Sequence, residues 1–102
     1  MPNTTLHILN KSGAFSSLNT KLSETISKGD EVVLIADGTY QTLDNLSGTE
    51  STTWAITANK VYALKDDLLT RGIPLRNDLI TYISYEEFVQ LSLTHHKTIS
   101  WY

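Results

Sequence analysis

Five short stretches of the sequence carry side chains that could take part in chemistry: His7, Asn10-Lys11-Ser12, Asp37-Gly38, Asp66-Asp67 and His95-His96. Histidines and carboxylates are the usual general acids, general bases and metal ligands in proteins. His7, however, stands between Leu6 and Ile8 in an apolar run, with no Ser or Cys whose activation it could obviously serve. We therefore expect a buried, hydrogen-bonded histidine rather than a catalytic base.

The histidine and aspartate pairs have simpler explanations than metal binding. His95 and His96 are adjacent near a predicted helix end, so their side chains diverge by about 100° and cannot both bind one metal from a regular helix. A polar or cationic helix C-terminus explains them better. Asp66 and Asp67 open another predicted helix, where capping explains a carboxylate pair. The sequence therefore predicts no catalytic residue, no metal site and no cofactor site.

The chain contains no cysteine. This excludes disulfide bonds, thiolate metal sites and thiol nucleophiles.

Two of the polar stretches follow predicted strands, where the crevice of an open α/β sheet usually holds its ligand. Neither Asn10-Lys11-Ser12 nor Asp37-Gly38 has the glycine spacing of a Walker loop or of a dinucleotide fingerprint. Structural turns are the favoured interpretation of both stretches.

Size and charge narrow the class of protein. We expect one domain over residues 1–102, because a chain of 102 residues cannot divide its core. A net charge of −3 and eight scattered basic residues argue against direct contact with a nucleic-acid backbone. Hydrophobic residues make up 40% of the chain in short runs, which predicts a globular protein without a membrane span. We also expect no signal peptide.

Apolar periodicity and turn residues predict alternating strands and helices. The expected strands cover 6–9, 31–36, 60–64 and 79–83, and the expected helices cover 17–28, 40–46, 66–72 and 85–95. Ser84 and Glu87 have the spacing of a capping box at the start of the last helix. Residues 54–57 could be a strand or the end of a helix, and the polar segment 47–53 is expected to be the most mobile part of the chain.

Strands that pass almost directly into helices predict an α/β fold with a parallel sheet. We expect a small, open, mainly parallel sheet of four or five strands, with helices on both faces in a flavodoxin-like arrangement. The apolar tail 98–102 should pack along an edge of the sheet or against a neighbouring subunit.

Large aromatic side chains concentrate in the second half of the chain, and a core of this size cannot bury all of them. Tyr and Trp are enriched at protein interfaces. The sequence therefore predicts interface residues among Tyr62, Tyr85, Phe88, Trp101 and Tyr102.

Several segments together resemble the TusB/DsrH family of sulfur-relay subunits over nearly the whole chain. They are residues 6–12 (LHILNKS), Gly29-Asp30, Asp37-Gly38, residues 60–72 (KVYALKDDLLTRG), residues 79–87 and Ser100-Trp101. The resemblance implies a DsrEFH-like fold, a cytoplasmic location and a hetero-oligomer with paralogous TusC-like and TusD-like subunits. Such a complex takes persulfide sulfur from small carrier proteins and passes it toward 2-thiolation of the wobble uridine of tRNA.

The chain departs from its DsrH relatives at one informative position. Those proteins carry a cysteine in the first helix, and an ungapped alignment on residues 10–12 and Gly29 places it at Leu22. The resemblance thus implies a non-catalytic subunit of the tRNA-thiolating branch. Two further departures are the polar stretch 47–53 and Tyr102, which follows the usual terminal Trp. The alternative is a free-standing flavodoxin-like module that binds a small ligand or phosphate. A receiver domain fits less well, because Asn10-Lys11-Ser12 stands where an acidic pair would be needed.

Overall fold

The computed structural model describes residues 4–12, 16–43 and 54–101. In this part of the chain, five strands form one parallel sheet in the order β4-β3-β2-β1-β5. The strands are β1 (Thr5–Leu9), β2 (Glu31–Leu34), β3 (Lys60–Leu64), β4 (Ile80–Ile83) and β5 (Lys97–Trp101). The helices are α1 (Ser16–Thr25), a 3-10 helix (Ala36–Leu43), α2 (Trp54–Thr57), α3 (Lys65–Thr70) and α4 (Tyr85–Thr94).

The order of the strands distributes the helices unequally over the two faces. Strands β1 to β4 step across the sheet in one direction, whereas β5 returns to the far side of β1. Among the described α-helices, right-handed crossovers then place α1, α2 and α3 on one face and α4 alone on the other. The packing agrees, because Leu22, Trp54 and Leu68 share one apolar cluster, whereas Phe88 and Leu91 of α4 pack against a second cluster.

The predicted α/β class, the parallel sheet and the helices on both faces are confirmed. The strand order differs from the 2-1-3-4-5 order of flavodoxin itself. The tail lies along an edge of the sheet, because β5 pairs only with β1, in a register that sets His7 beside Ile99 and Leu9 beside Trp101.

Several element boundaries were predicted wrongly, each for a local reason. Helix α1 ends at Thr25, before the predicted residue 28, because the Asp30 carboxylate accepts the Ser27 N–H and holds residues 27–30 in a turn. Strand β4 starts at Ile80, because the Asn77 side chain accepts the Leu79 N–H.

Helix α3 covers Lys65–Thr70 instead of the predicted 66–72, and the larger boundary errors concern residues 35–57. Strand β2 stops at Leu34, and the helix expected over 40–46 is a 3-10 helix that already begins at Ala36. Residues 54–57 are the short helix α2. The segment 47–53, predicted to be mobile, lies outside the described residues.

No helix in the described part of the chain is long and apolar enough to cross a membrane.

Candidate functional site

The carboxyl edge of the sheet is filled by the protein's own amide groups. Gln41, which is completely buried, donates from Nε2 to the Lys11 carbonyl at 2.9 Å and to Asn19 Oδ1 at 3.2 Å. Asn19 returns a hydrogen bond from Nδ2 to Gln41 Oε1 at 3.0 Å. Gly38 presses so closely on the Leu9 carbonyl that a Cβ atom at this position would overlap with it. The close approach to Leu9 therefore explains why a glycine stands at position 38, in agreement with the interpretation of Asp37-Gly38 as a structural turn.

The turn after β2 holds a strained residue. Ala36 has φ +48°, a left-handed conformation that residues other than glycine rarely adopt. Its N–H donates to Asp67 Oδ2 at 2.6 Å, and Arg71 Nε donates to Asp37 Oδ1 at 3.1 Å. Asp66 and Asp67 lie in the first turn of α3, as predicted, but they do not cap it, because the N-cap is Leu64 and Asp67 instead accepts a hydrogen bond from the neighbouring turn.

The position that the family resemblance assigns to a cysteine lies in the core. Leu22 is completely buried and belongs to the apolar cluster beneath α1. A sulfur atom carried at this position would have no access to a partner without movement of the helix. A leucine suits this position, because a buried and closely packed site favours an apolar side chain of this size.

The predicted buried histidine is confirmed in detail. His7 is 1% exposed, and its Nε2 lies 3.0 Å from Asp30 Oδ2. The Trp101 indole donates from Nε1 to His7 Nδ1 at 3.0 Å, and the two rings stack. An indole N–H can only donate, so Nδ1 carries no proton and Nε2 donates to the carboxylate. His7 is therefore a neutral structural group that joins β5 to the core.

Asp30 organises the other end of this network. Its carboxylate accepts from the backbone N–H groups of Thr5 and Ser27 as well as from His7. Burial alone would raise the pKa of Asp30, but these hydrogen bonds outweigh burial and hold the pKa below its ordinary value of 3.8.

A second polar network closes the amino edge of the sheet. His95 Nε2 donates to Glu31 Oε1 at 2.9 Å, and its Nδ1 lies 2.9 Å from the Thr4 hydroxyl. Asn59 also donates to Glu31, and the Tyr62 hydroxyl lies 3.4 Å from both of its carboxylate oxygens. Burial, the charge of Glu31 and this hydrogen bonding raise the pKa of Tyr62. The adjacent histidines thus have separate surroundings, because His95 is half-buried in this network and His96 is exposed.

The face of the sheet that carries α4 is only partly covered. No residue of α4 is fully buried, although the predicted capping box of Ser84 and Glu87 forms as expected. Between α4 and strands β3 and β4 lies a groove of about 420 Å³, lined by apolar atoms of Tyr62, Ile83 and Leu91 and bordered by Glu86. Exposed apolar surface of this kind often marks an interaction site.

The predicted interface residues lie in different surroundings. Tyr85 is 63% exposed, whereas Tyr62, Phe88 and Trp101 are half-buried and partly used by internal contacts. Tyr102 lies outside the described residues. Sequence reasoning missed Val89 and Leu93, which are 40% and 73% exposed. Val89 follows Tyr85 by four residues and Leu93 follows Val89 by four, and this helical spacing was a signal that could have found them.

Comparison with known proteins agrees with this architecture. A family model described as DsrH like protein matches residues 11–98. The chain is 37% identical to Protein TusB of Escherichia coli O81 over 98 residues, which cover 94% of this chain and 99% of that protein. It is 36% identical to Protein TusB of Shigella boydii serotype 18 over the same shares of both chains.

Solved structures show the same fold. The solution structure of Tm0979 from Thermotoga maritima superposes with a TM-score of 0.59 at 29% identity, over 87% of this chain and 92% of that one. The crystal structure of the E. coli ychN protein has a TM-score of 0.65 at 16% identity, over 98% and 99% of the two chains. The matched family model and the similarity to TusB along almost the whole chain show that this protein belongs to the TusB/DsrH family.

Proposed function

We propose that this protein is a non-catalytic subunit of a TusBCD-like sulfur-relay complex. In that role it would hold paralogous TusC-like and TusD-like subunits in the cytoplasm while they pass persulfide sulfur from small carrier proteins toward 2-thiolation of tRNA wobble uridine. Membership of the TusB/DsrH family supports the assignment to this pathway, and the lack of cysteine in the chain supports a non-catalytic role within it.

The absence of cysteine carries the non-catalytic part of the proposal. A persulfide relay needs a thiolate to attack the incoming sulfur, and the sequence has none. Two of the three histidines, His7 and His95, are bound to buried carboxylates and are thereby committed to structure. Leu22, at the position of the DsrH cysteine, is buried.

A partner role is supported by the uneven cover of the sheet. Of the α-helices that the structure describes, three cover one face, whereas α4 alone covers the other and leaves a groove beside it. An isolated domain gains little from leaving apolar surface in water, so a partner subunit is the natural source of the missing cover.

Labelled sulfur tests the non-catalytic assignment. A complex purified with its paralogous subunits is charged with radiolabelled sulfur by a cysteine desulfurase and its carriers. The label should stay with a cysteine-bearing subunit on a non-reducing denaturing gel. Label that migrates with this chain would disprove the assignment.

Co-expression tests the partner role. The chain expressed alone should be poorly soluble or should self-associate, and co-expression with the paralogous subunits should yield a soluble complex. A monodisperse monomer at high concentration that captures neither paralogue would contradict the proposal.

The groove beside α4 is the observation that favours the alternative, a free-standing small-ligand module. Its two carboxylates, Glu86 and Glu87, disfavour phosphate, because like charges repel. Incubation with flavins and nucleotides, followed by mass spectrometry under native conditions, would detect such a ligand.

A further inference from the structure

Helix α4 carries a second apolar stripe on its solvent side. Phe88 and Leu91 pack against the sheet, whereas Tyr85, Val89 and Leu93 recur every four residues and are 63%, 40% and 73% exposed. A surface helix normally has one apolar face, which it buries. The outer stripe of α4, defined as Tyr85, Val89 and Leu93, therefore stays exposed in the described part of this chain, although the Tyr85 ring makes an edge contact with Phe88 of the same helix.

The charges around this stripe are arranged unequally along the helix. Glu86 and Glu87 lie exposed in the first turn, whereas Lys97 lies exposed just beyond the last turn. A parallel pair of such helices would set Glu86 beside a second Glu86. An antiparallel pair instead brings the acidic start of one helix toward the basic end of the other and also opposes the two helix dipoles favourably.

We propose that α4 packs antiparallel against α4 of a second copy of this chain, with Val89 on the two-fold axis. Tyr85 then lies opposite Leu93 of the second copy, so that the stripe is complementary to itself, as a two-fold contact requires. Val89 is the smallest residue of the stripe and stands at its centre, which lets the helix axes approach to about 8–10 Å.

The size of the stripe fixes the strength of this contact. Three side chains on one helix offer far less than the roughly 800 Å² per partner of a stable interface. The homodimer formed by this contact is therefore weak and depends on protein concentration. It does not depend on the sulfur-relay assignment, because it follows from α4 alone.

The lack of cysteine allows a direct test by disulfide cross-linking in the full-length chain. A Val89→Cys variant should form a disulfide-linked dimer under mild oxidation about tenfold faster than Leu69→Cys, because a residue on the axis has a high effective concentration of its own partner. Leu69 is the matched control, since it is 61% exposed on α3, on the other face of the sheet.

Mixed variants test the orientation. Tyr85→Cys and Leu93→Cys should each cross-link poorly alone and should link to each other when the two proteins are mixed.

Sedimentation of the cysteine-free protein should show concentration-dependent association that Leu93→Lys abolishes. Equal rates for Val89→Cys and Leu69→Cys, or preferential linkage of Tyr85→Cys to itself, would overturn the proposal. Co-purification with the paralogous subunits tests the proposed function separately.

Discussion

The hydrogen bond between Trp101 and His7 gives the sharpest test of how the C-terminal strand is held. Trp101→Phe keeps an aromatic ring at the end of β5 but removes the donor that the described residues supply to His7 Nδ1, which lies in a side chain 1% exposed. A buried acceptor left without a partner costs about 1–3 kcal/mol of the free energy of unfolding. For a domain of this size, each kcal/mol lowers Tm by roughly 4–8 °C.

The assay is urea denaturation at neutral pH, with thermal melting as a second measurement. Ser100→Ala is the control, because Ser100 is exposed on the same strand and should change stability little. A double-mutant cycle with His7→Leu separates the hydrogen bond from lost packing, and the double variant should lose less than the sum of the single losses. If Trp101→Phe is as stable as Ser100→Ala, the bond does not hold the strand and the reasoning is refuted.

Three further predictions follow from the packing and the charges. Gly38→Ala should destabilise the protein severely in a thermal melt, because its Cβ would overlap with the Leu9 carbonyl. Gly72→Ala, with φ +68° but open space around it, should lower the free energy of unfolding by only about 1–2 kcal/mol. Equal losses of stability in the two variants would contradict the close contact at Gly38. Asp30→Asn should lower stability at neutral pH and should weaken the loss of stability on acidification. The reason is that a depressed folded-state pKa stabilises the protein above the unfolded pKa of 3.8, and this stabilisation disappears as pH falls through the lower folded pKa. Denaturation at a series of pH values between about 6 and 2.5 measures this, and an unchanged dependence of stability on pH would count against the prediction. Removal of residues 100–102 should lower Tm, because it deletes Trp101 and two positions at which β5 pairs with β1. Pull-down of the paralogous subunits shows whether assembly is lost as well. A truncated chain that matches the full-length chain in both assays would show that the tail contributes to neither stability nor assembly.

The sequence by itself determined the fold class and most of the elements. Short apolar runs followed at once by helical periodicity identify strand-helix units. Both patterns can be recognised from residues that are close in sequence, because a strand buried on both faces is continuously apolar and an amphipathic helix has apolar residues every three or four positions. The capping box of Ser84 and Glu87 was predicted for the same reason, since all its atoms lie within one turn. The absence of cysteine likewise excludes thiol chemistry of this chain without a structure.

Only the tertiary structure decided which distant groups meet. The partners of His7 are 23 and 94 residues away in sequence, and Asp67 reaches Ala36 across 31 residues instead of capping its own helix. No local pattern encodes such pairs, because buried polar groups take whichever partner the strand order brings near. Among the described helices, the strand order itself, with β5 returned to the side of β1, also decides that α4 has no second helix beside it, and this is why its outer stripe stays exposed.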